Sequence, residues 1–183
     1  MEPMTAFKSK GDIKLRALEK EDAEFLRNLV QRPEVRKYLG RVPEPISLHR
    51  EEDRIEQITE DDSIIQFIIE KEDEKVGTIA LFDIDRTYKH AEFGAFMVKP
   101  ERHGEGIGST ALELLLEYAF DELGMHRVAG GYLEDNEASR KVQGNFGFKE
   151  EGREREYKYR DGEYIDLVRM SLLEEEYRQR HSS

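Results

Sequence analysis

The chain has 183 residues, a formal net charge of −12 and no cysteine. This length suits one domain with a buried core, and the acidic balance argues against nucleic acid as a partner. Without thiols the chain has no disulfide, no thiolate metal site and no cysteine nucleophile. No signal-peptide pattern and no run of 18 apolar residues occurs, so we expect a cytoplasmic protein that does not enter a membrane.

The N-terminal half predicts a strand, two helices and a hairpin. Residues 13–18 alternate between apolar and polar as a half-buried strand does, and Asp22 stands at the N-cap position of a helix. Ser47 is placed to cap a second, sparsely apolar helix. Residues 64–69 and 76–82 are rich in β-branched and apolar side chains around a polar turn, which predicts an antiparallel hairpin.

The C-terminal half predicts a strand, helix, strand unit and a second hairpin. A strand over residues 91–98 stops before Pro100, and a glycine-rich stretch opens the most amphipathic helix, which Gly124 ends. A strand over 127–133, a helix over 137–146 and a hairpin of 148–159 with 164–172 follow. We therefore predict a single α+β domain with a mixed, mostly antiparallel central sheet flanked by helices, and peripheral ends at 1–11 and 174–183.

The glycine-rich stretch predicts an anion-binding loop. Gly104, Gly106 and Gly108 lie between a strand and the start of a helix, where free backbone amides and the helix dipole favour a phosphate group. A glycine loop that only closes a tight turn explains the same letters. Two nucleotide motifs fail on spacing, because no lysine follows Gly108 and the pattern is G-x-G-x-G instead of G-x-G-x-x-G.

Four motifs in order carry a resemblance to a known family. They are His103-Gly104-Glu105-Gly106-Ile107-Gly108, Glu92-Phe93-Gly94 before it, Asn136-x-x-Ser139 after it, and Phe146-Gly147-Phe148. Together they resemble the GNAT superfamily of N-acetyltransferases, whose phosphate loop runs Q/R-x-x-G-x-G/A. The final hairpin around Asp161-Gly162 resembles the RimJ/RimL branch.

The resemblance implies a fold whose two central strands splay apart and hold acetyl-CoA as co-substrate. Met97 and Val98 would pair with the pantetheine arm, and Asn136 would fix that arm from the other side. The pyrophosphate would lie on the loop formed by His103, Gly104, Glu105, Gly106, Ile107, Gly108 and Ser109. His103 departs from the family's Gln or Arg, and Glu101 and Glu105 place negative charge beside the expected phosphates.

Acetyl transfer to an amine needs a base for the ammonium and an acid for the departing thiolate. The resemblance gives these roles to Glu92 and Ser139. A strand residue paired with arginine is the other interpretation of Glu92, and a capping residue is the other interpretation of Ser139. Many family members carry a tyrosine acid where this chain has Gln143. That change and the acidic loop motivate an alternative function, a catalytically inactive acyl-CoA-binding module.

The acceptor stays open between a protein N-terminus, a polyamine and another small amine, which the acidic surface would attract if cationic. No histidine or carboxylate spacing suits a metal, so we expect none. The resemblance implies a monomer or a homodimer.

Overall fold

The computed structural model describes residues 5–39 and 44–181. Its strands form one eight-stranded sheet in the order β1-β2-β3-β4-β5-β6-β8-β7. They are β1 Lys8–Lys10, β2 Ile13–Ala17, β3 Ile65–Lys71, β4 Glu74–Asp85, β5 His90–Val98, β6 Arg127–Leu133, β7 Lys149–Arg160 and β8 Glu163–Leu173. Every neighbouring pair is antiparallel except β5 and β6. The predicted α+β class, with its mixed, mostly antiparallel sheet, is confirmed.

Helices cover both faces of this sheet. They are α1 Ala23–Val30, α2 Pro33–Arg36, α3 Leu48–Thr59, α4 Ile107–Glu117, α5 Glu137–Asn145 and α6 Glu174–His181. Alternation along β3 shows the two layers: Phe67 and Ile69 belong to the large core that contains α4, whereas Ile68 belongs to a smaller core with Leu26 of α1 and Ile55 of α3. The central strands are therefore buried from both sides.

The parallel pair β5 and β6 separates soon after it begins. Only three residues of each strand pair, from His90 with Arg127 to Glu92 with Ala129, although both strands continue. At Gly130, the first residue of β6 beyond the pairing, an added Cβ would lie 2.2 Å from the Phe93 ring. The Phe93 ring on β5 thus occupies the space that a side chain at position 130 of β6 would need. The two strands separate here and open into a V.

Most predicted elements agree with the structure to within a few residues. The strand predicted over 127–133 has those bounds, both hairpins form, and the Ser47 Oγ accepts a hydrogen bond of 3.2 Å from the Arg50 amide at the start of α3. Gly124 has a φ of 63° where the amphipathic helix ends, as predicted. These are the places where neighbouring residues alone set the conformation.

Three local features were not predicted from the sequence. Asp22 precedes α1 but makes no capping bond to it, because its carboxylate is buried against Arg16. The amphipathic helix leaves the α conformation at Glu117 and continues as a π-helical turn over Tyr118–Glu122, which buries the consecutive residues Ala119 and Phe120. Residues 8–10 of the expected peripheral leader pair with β2 as an edge strand. Residues 1–4 and 182–183 of the two predicted ends lie outside the described residues.

In the described ranges, no helix combines the length and the apolar character that a membrane span needs.

Candidate active site

The glycine loop joins β5 to α4 beside the mouth of the V. A short 3-10 turn over Pro100–Arg102 follows the strand, and Gly104 and Gly106 then take φ values of 86° and 76°. Gly106 is the N-cap residue of α4 and has no side chain with which to cap it. Left-handed backbone is the conformation that glycine adopts at little cost, so the two glycines turn the loop directly into the helix.

The loop leaves a row of backbone donors free. Over the described residues, the amides of residues 104–109 have no hydrogen-bond acceptor, and the first bond of the helix runs from the Thr110 amide to the Gly106 oxygen. Six successive N–H groups at a helix start form a strong site for an anion. The amides of Arg102 and His103 do not belong to this row, because they bond to the Lys99 and Pro100 oxygens.

The acidic residues of the loop are each paired with a cation. Glu105 accepts bonds from Arg102 Nε at 2.7 Å and from Lys71 Nζ at 2.8 Å, and these bonds lower the pKa of its carboxyl. Glu101 accepts a bond of 2.6 Å from Arg32. The negative charge that the sequence places beside the expected phosphates is therefore balanced locally, with cations from β3 and from before α2.

The edge of β5 that faces the V has no strand partner beyond Glu92 within the described residues. Met97 and Val98 pair with Thr78 and Gly77 on the opposite edge, through a bulge that gives Ala95 a φ of 44°. Their free edge is where an extended ligand could add as a strand. His103 approaches the same place, because its Nε2 lies 3.1 Å from the Val98 oxygen and donates to that carbonyl.

Asn136 and Ser139 stand at the start of α5, on the β6 side of the V. The Asn136 Oδ1 caps the helix by accepting a bond of 3.1 Å from the Ser139 amide. Capping is thus the work of Asn136, and the Ser139 hydroxyl is not used for it. Instead, the Ser139 Oγ lies 3.0 Å from the Nε2 of Gln143, one turn later.

Glu92 ends the β5–β6 ladder at the apex of the V. Its Oε1 accepts a bond of 2.8 Å from Arg169 Nη1, and its side chain is 37% exposed. Arg169 lies on β8 and also donates to Glu154 of β7 through its Nε at 2.5 Å. Glu92 therefore lies on the strand before the glycine loop, as predicted. It also forms an ion pair with an arginine, as its interpretation as a structural strand residue requires.

Comparison with known proteins identifies the family. The sequence profile described as "Acetyltransferase (GNAT) domain" matches residues 12–149. The chain belongs to the GNAT acetyltransferase family. Its resemblance to that family is thereby confirmed, whereas the RimJ/RimL branch stays a prediction.

Two of the relatives described next match nearly the whole chain, and a third matches about half of it. A spermidine N(1)-acetyltransferase of Escherichia coli K12 is 27% identical over 175 residues, covering 96% of this chain and 93% of that protein. The structure of a Vibrio cholerae spermidine N-acetyltransferase with CoA and spermine superimposes with a TM-score of 0.85 at 27% identity, covering 92% of this chain and 99% of the other. A putative ribosomal N-acetyltransferase of Bacillus subtilis, YdaF, is 42% identical over 101 residues, which is 55% of each chain.

This membership assigns acetyltransferase chemistry with acetyl-CoA as co-substrate, and the residues present fit such a ligand. The row of free amides suits a diphosphate, and the open edge of β5 suits an amide-bearing arm. Among the described residues, no cluster of histidine and carboxylate groups is arranged to hold a metal ion.

Several residues of this GNAT site were missed by the sequence. Arg169 reaches Glu92 across 77 positions, and Lys71 reaches Glu105 across 34, so no local pattern could show either pair. Gln143 was noted only as the residue in place of a tyrosine. Its spacing of four from Ser139 on one helix was a signal that the two side chains meet.

Proposed function

We propose that this GNAT protein transfers the acetyl group of acetyl-CoA to a primary amine of a polyamine. The observation that carries the proposal is the V, which opens directly after Glu92 and leads to the row of free amides at residues 104–109. A thioester whose diphosphate lies on that loop would extend along the free edge of β5 toward Glu92. The reactive end and the base would then meet at the apex.

The loop and the two strands hold the co-substrate in this proposal. The amides of residues 104–109 bind the pyrophosphate, and Lys71 and Arg102, which Glu105 now holds, lie close enough to add positive charge. Met97 and Val98 pair with the pantetheine arm along the open edge. Asn136 contributes chiefly by fixing the start of α5, because its side-chain oxygen is already engaged there.

Glu92 is the base in this proposal, and Arg169 regulates its availability. An incoming ammonium group competes with Arg169 for the carboxylate, and Glu154 retains the arginine when the bond to Glu92 breaks. Glu92 then takes a proton from the ammonium, directly or through water, so that the free amine can attack. Ser139 supplies a proton to the departing sulfur.

Three observations support a polyamine acceptor. Full-length relatives are named for spermidine, one neighbouring structure is described as holding spermine, and the chain has a net charge of −12 that attracts polycations. A protein N-terminus is the second candidate, and it is favoured by the 42% identity with the putative ribosomal acetyltransferase over part of the chain.

A panel of amines tests the acceptor. Purified protein with acetyl-CoA is given spermidine, spermine, a monoamine of similar length, or peptides with a free N-terminus, and released CoA is measured with a thiol reagent. The chain has no cysteine, so the reagent reports CoA alone. We expect turnover with both polyamines and little with the peptides. Turnover with the peptides alone would replace the polyamine by a protein N-terminus.

Substitution of Glu92 tests the base. We expect Glu92→Gln to lower kcat by about 10²-fold, because the rate then depends on water as base. Glu154→Gln is the comparison variant: it leaves Glu92 in place but removes the other carboxylate bound to Arg169, so we expect kcat to fall less than in Glu92→Gln. Equal activity of Glu92→Gln and the native protein would remove Glu92 from the mechanism.

The ion pair of Glu92 with Arg169 favours an alternative to catalysis, namely an inactive acyl-CoA-binding module. A carboxylate that is held by arginine is not free to act as a base. Calorimetry separates the two functions. Saturable binding of acetyl-CoA with no CoA release for any amine would establish the module.

A further inference from the structure

Gln143 is a buried polar residue beside Ser139 whose contacts define its orientation. Its side chain is wholly buried on α5, and its Nε2 lies 3.1 Å from the Gly131 oxygen of β6 and 3.0 Å from the Ser139 Oγ. Its Oε1 is buried without a hydrogen-bond partner among the described residues. The two nitrogen contacts are therefore what hold this amide in place.

The Gly131 carbonyl decides which way the amide points. A carbonyl oxygen only accepts, so the nitrogen of Gln143 must face it, and the reversed amide would set two oxygens against each other. The second hydrogen of the same nitrogen then points to Ser139. The Ser139 oxygen is consequently the acceptor of that bond.

The Ser139 hydrogen is left free by this arrangement. A serine inside a helix often donates to a carbonyl of the preceding turn, but in the described part of the chain the Ser139 Oγ bonds to no such carbonyl. Its oxygen is held by Gln143 and its single hydrogen is not used. A hydroxyl in this state is prepared to donate.

We infer that Gln143 is a positioning residue that keeps the Ser139 hydroxyl aimed as a proton donor, an inference that rests on the proposed function. The amine nitrogen bonds to the acetyl carbon, the carbon–sulfur bond breaks, and the thiolate takes the Ser139 proton. The nitrogen loses its second proton as the amide forms, and water carries that proton to serine, so serine ends unchanged. Glu92 releases the first proton, which it took from the ammonium group, to solvent. Gln143 thus holds the Ser139 hydroxyl in place, and that hydroxyl donates the proton.

A double-mutant cycle on kcat tests this division of roles. Ser139→Ala removes the donor, and Gln143→Met removes both amide hydrogens while nearly conserving volume. We expect kcat to fall about 10²-fold for Ser139→Ala and about tenfold for Gln143→Met, with the KM for acetyl-CoA little changed. The double variant should be no slower than Ser139→Ala, because a positioning residue has no effect once the group it positions is gone.

Two other results separate this inference from the proposed function. If Ser139→Ala is impaired and Gln143→Met is not, or if the two losses multiply in the double variant, then Gln143 has no positioning role and the acetyl transfer stands. If Ser139→Ala turns over like the native protein, Ser139 is not the acid and the inference fails with it.

Gln143→Glu gives a second measurement should methionine lower the melting temperature. The new carboxylate accepts a hydrogen bond from the Ser139 hydroxyl, whereas the native amide donates one to the Ser139 oxygen. We expect kcat near neutral pH to fall at least as far as in Gln143→Met. Native kcat in a folded Gln143→Glu protein would contradict the inference.

Discussion

The starts of α4 and α5 lie on the two arms of the same V, but only the start of α5 is capped by a side chain. The α5 start is capped by Asn136, whose side chain accepts from the Ser139 amide. The α4 start has Gly106 at the N-cap position and a row of amides without acceptors. Free amides carry an unfavourable free energy unless water or a ligand binds them, so the uncapped start is the one that we propose as the anion site.

The start of α1 shows a third arrangement. Asp22 stands at its N-cap position, but its carboxylate accepts two bonds of 2.8 Å from Arg16 and lies 2.7 Å from Lys75. Burial alone would raise the pKa of Asp22, and the bonds from Arg16 and Lys75 outweigh burial and lower it. The residue type at a helix start thus does not by itself tell a cap from an ion pair or a binding site.

The largest expected effect follows from breaking the α1 arrangement. Asp22→Asn leaves Arg16 buried with less compensation, and we expect the free energy of unfolding to fall by about 3 kcal/mol. Asp73→Asn is the control, because Asp73 pairs with Lys14 at the exposed surface and its substitution should leave the free energy of unfolding nearly unchanged. Urea unfolding measures both.

The pH dependence of the same pair has a defined sign. Because the pKa of Asp22 is lowered in the folded state, its stabilisation is present above the ordinary value of 3.8 and is lost as pH falls through the lowered value. Asp22→Asn should therefore flatten the acid side of the stability curve. An unchanged acid limb would show that Asp22 is not a source of acid lability.

The next effect sharpens the contrast at the α4 start. Gly106→Ala puts a Cβ on left-handed backbone where no atom lies within 4 Å, so we expect about 1 kcal/mol of strain and at least about tenfold weaker binding of acetyl-CoA. Gly124→Ala is matched in φ and in open space but lies beyond the far end of that helical region. It should lose similar stability and keep native affinity. Equal affinity in both variants, measured by calorimetry, would show that the loop is only a turn.

The smallest effect separates the two possible roles of Asn136. Asn136→Ala should lower the free energy of unfolding by about 1 kcal/mol through loss of the cap, and Asn136→Asp should restore it. If the KM for acetyl-CoA stays native in Asn136→Asp, the residue acts through the helix start. A KM that is raised in Asn136→Asp as well as in Asn136→Ala would instead show that the amide nitrogen contacts the co-substrate, because both variants lack that nitrogen and only Asn136→Ala lacks the cap.

Sequence patterns predicted the order of elements and the turn of the glycine loop well, because both depend on near neighbours. Alternation predicted the strands, and glycines after Pro100 predicted the loop. The edge strand Lys8–Lys10 was not predicted, because three residues are too few to show an alternating pattern. The π-helical turn at Tyr118–Glu122 was not predicted, because the apolar residues there suit an α-helix as well as a π-helix.

The sequence alone predicted the mixed sheet and a glycine loop suited to an anion, since each depends mainly on the conformations that neighbouring residues permit. Only the structure showed which six amides of that loop are free, those of residues 104–109. Tertiary structure decided that Glu92 is paired with Arg169, that cations cancel the charge of Glu105, and that Gln143 holds Ser139 against β6. Most of these contacts join residues far apart in the chain. The fold brings such residues together, and the partner a charged or amide group finds there sets what chemistry it can perform.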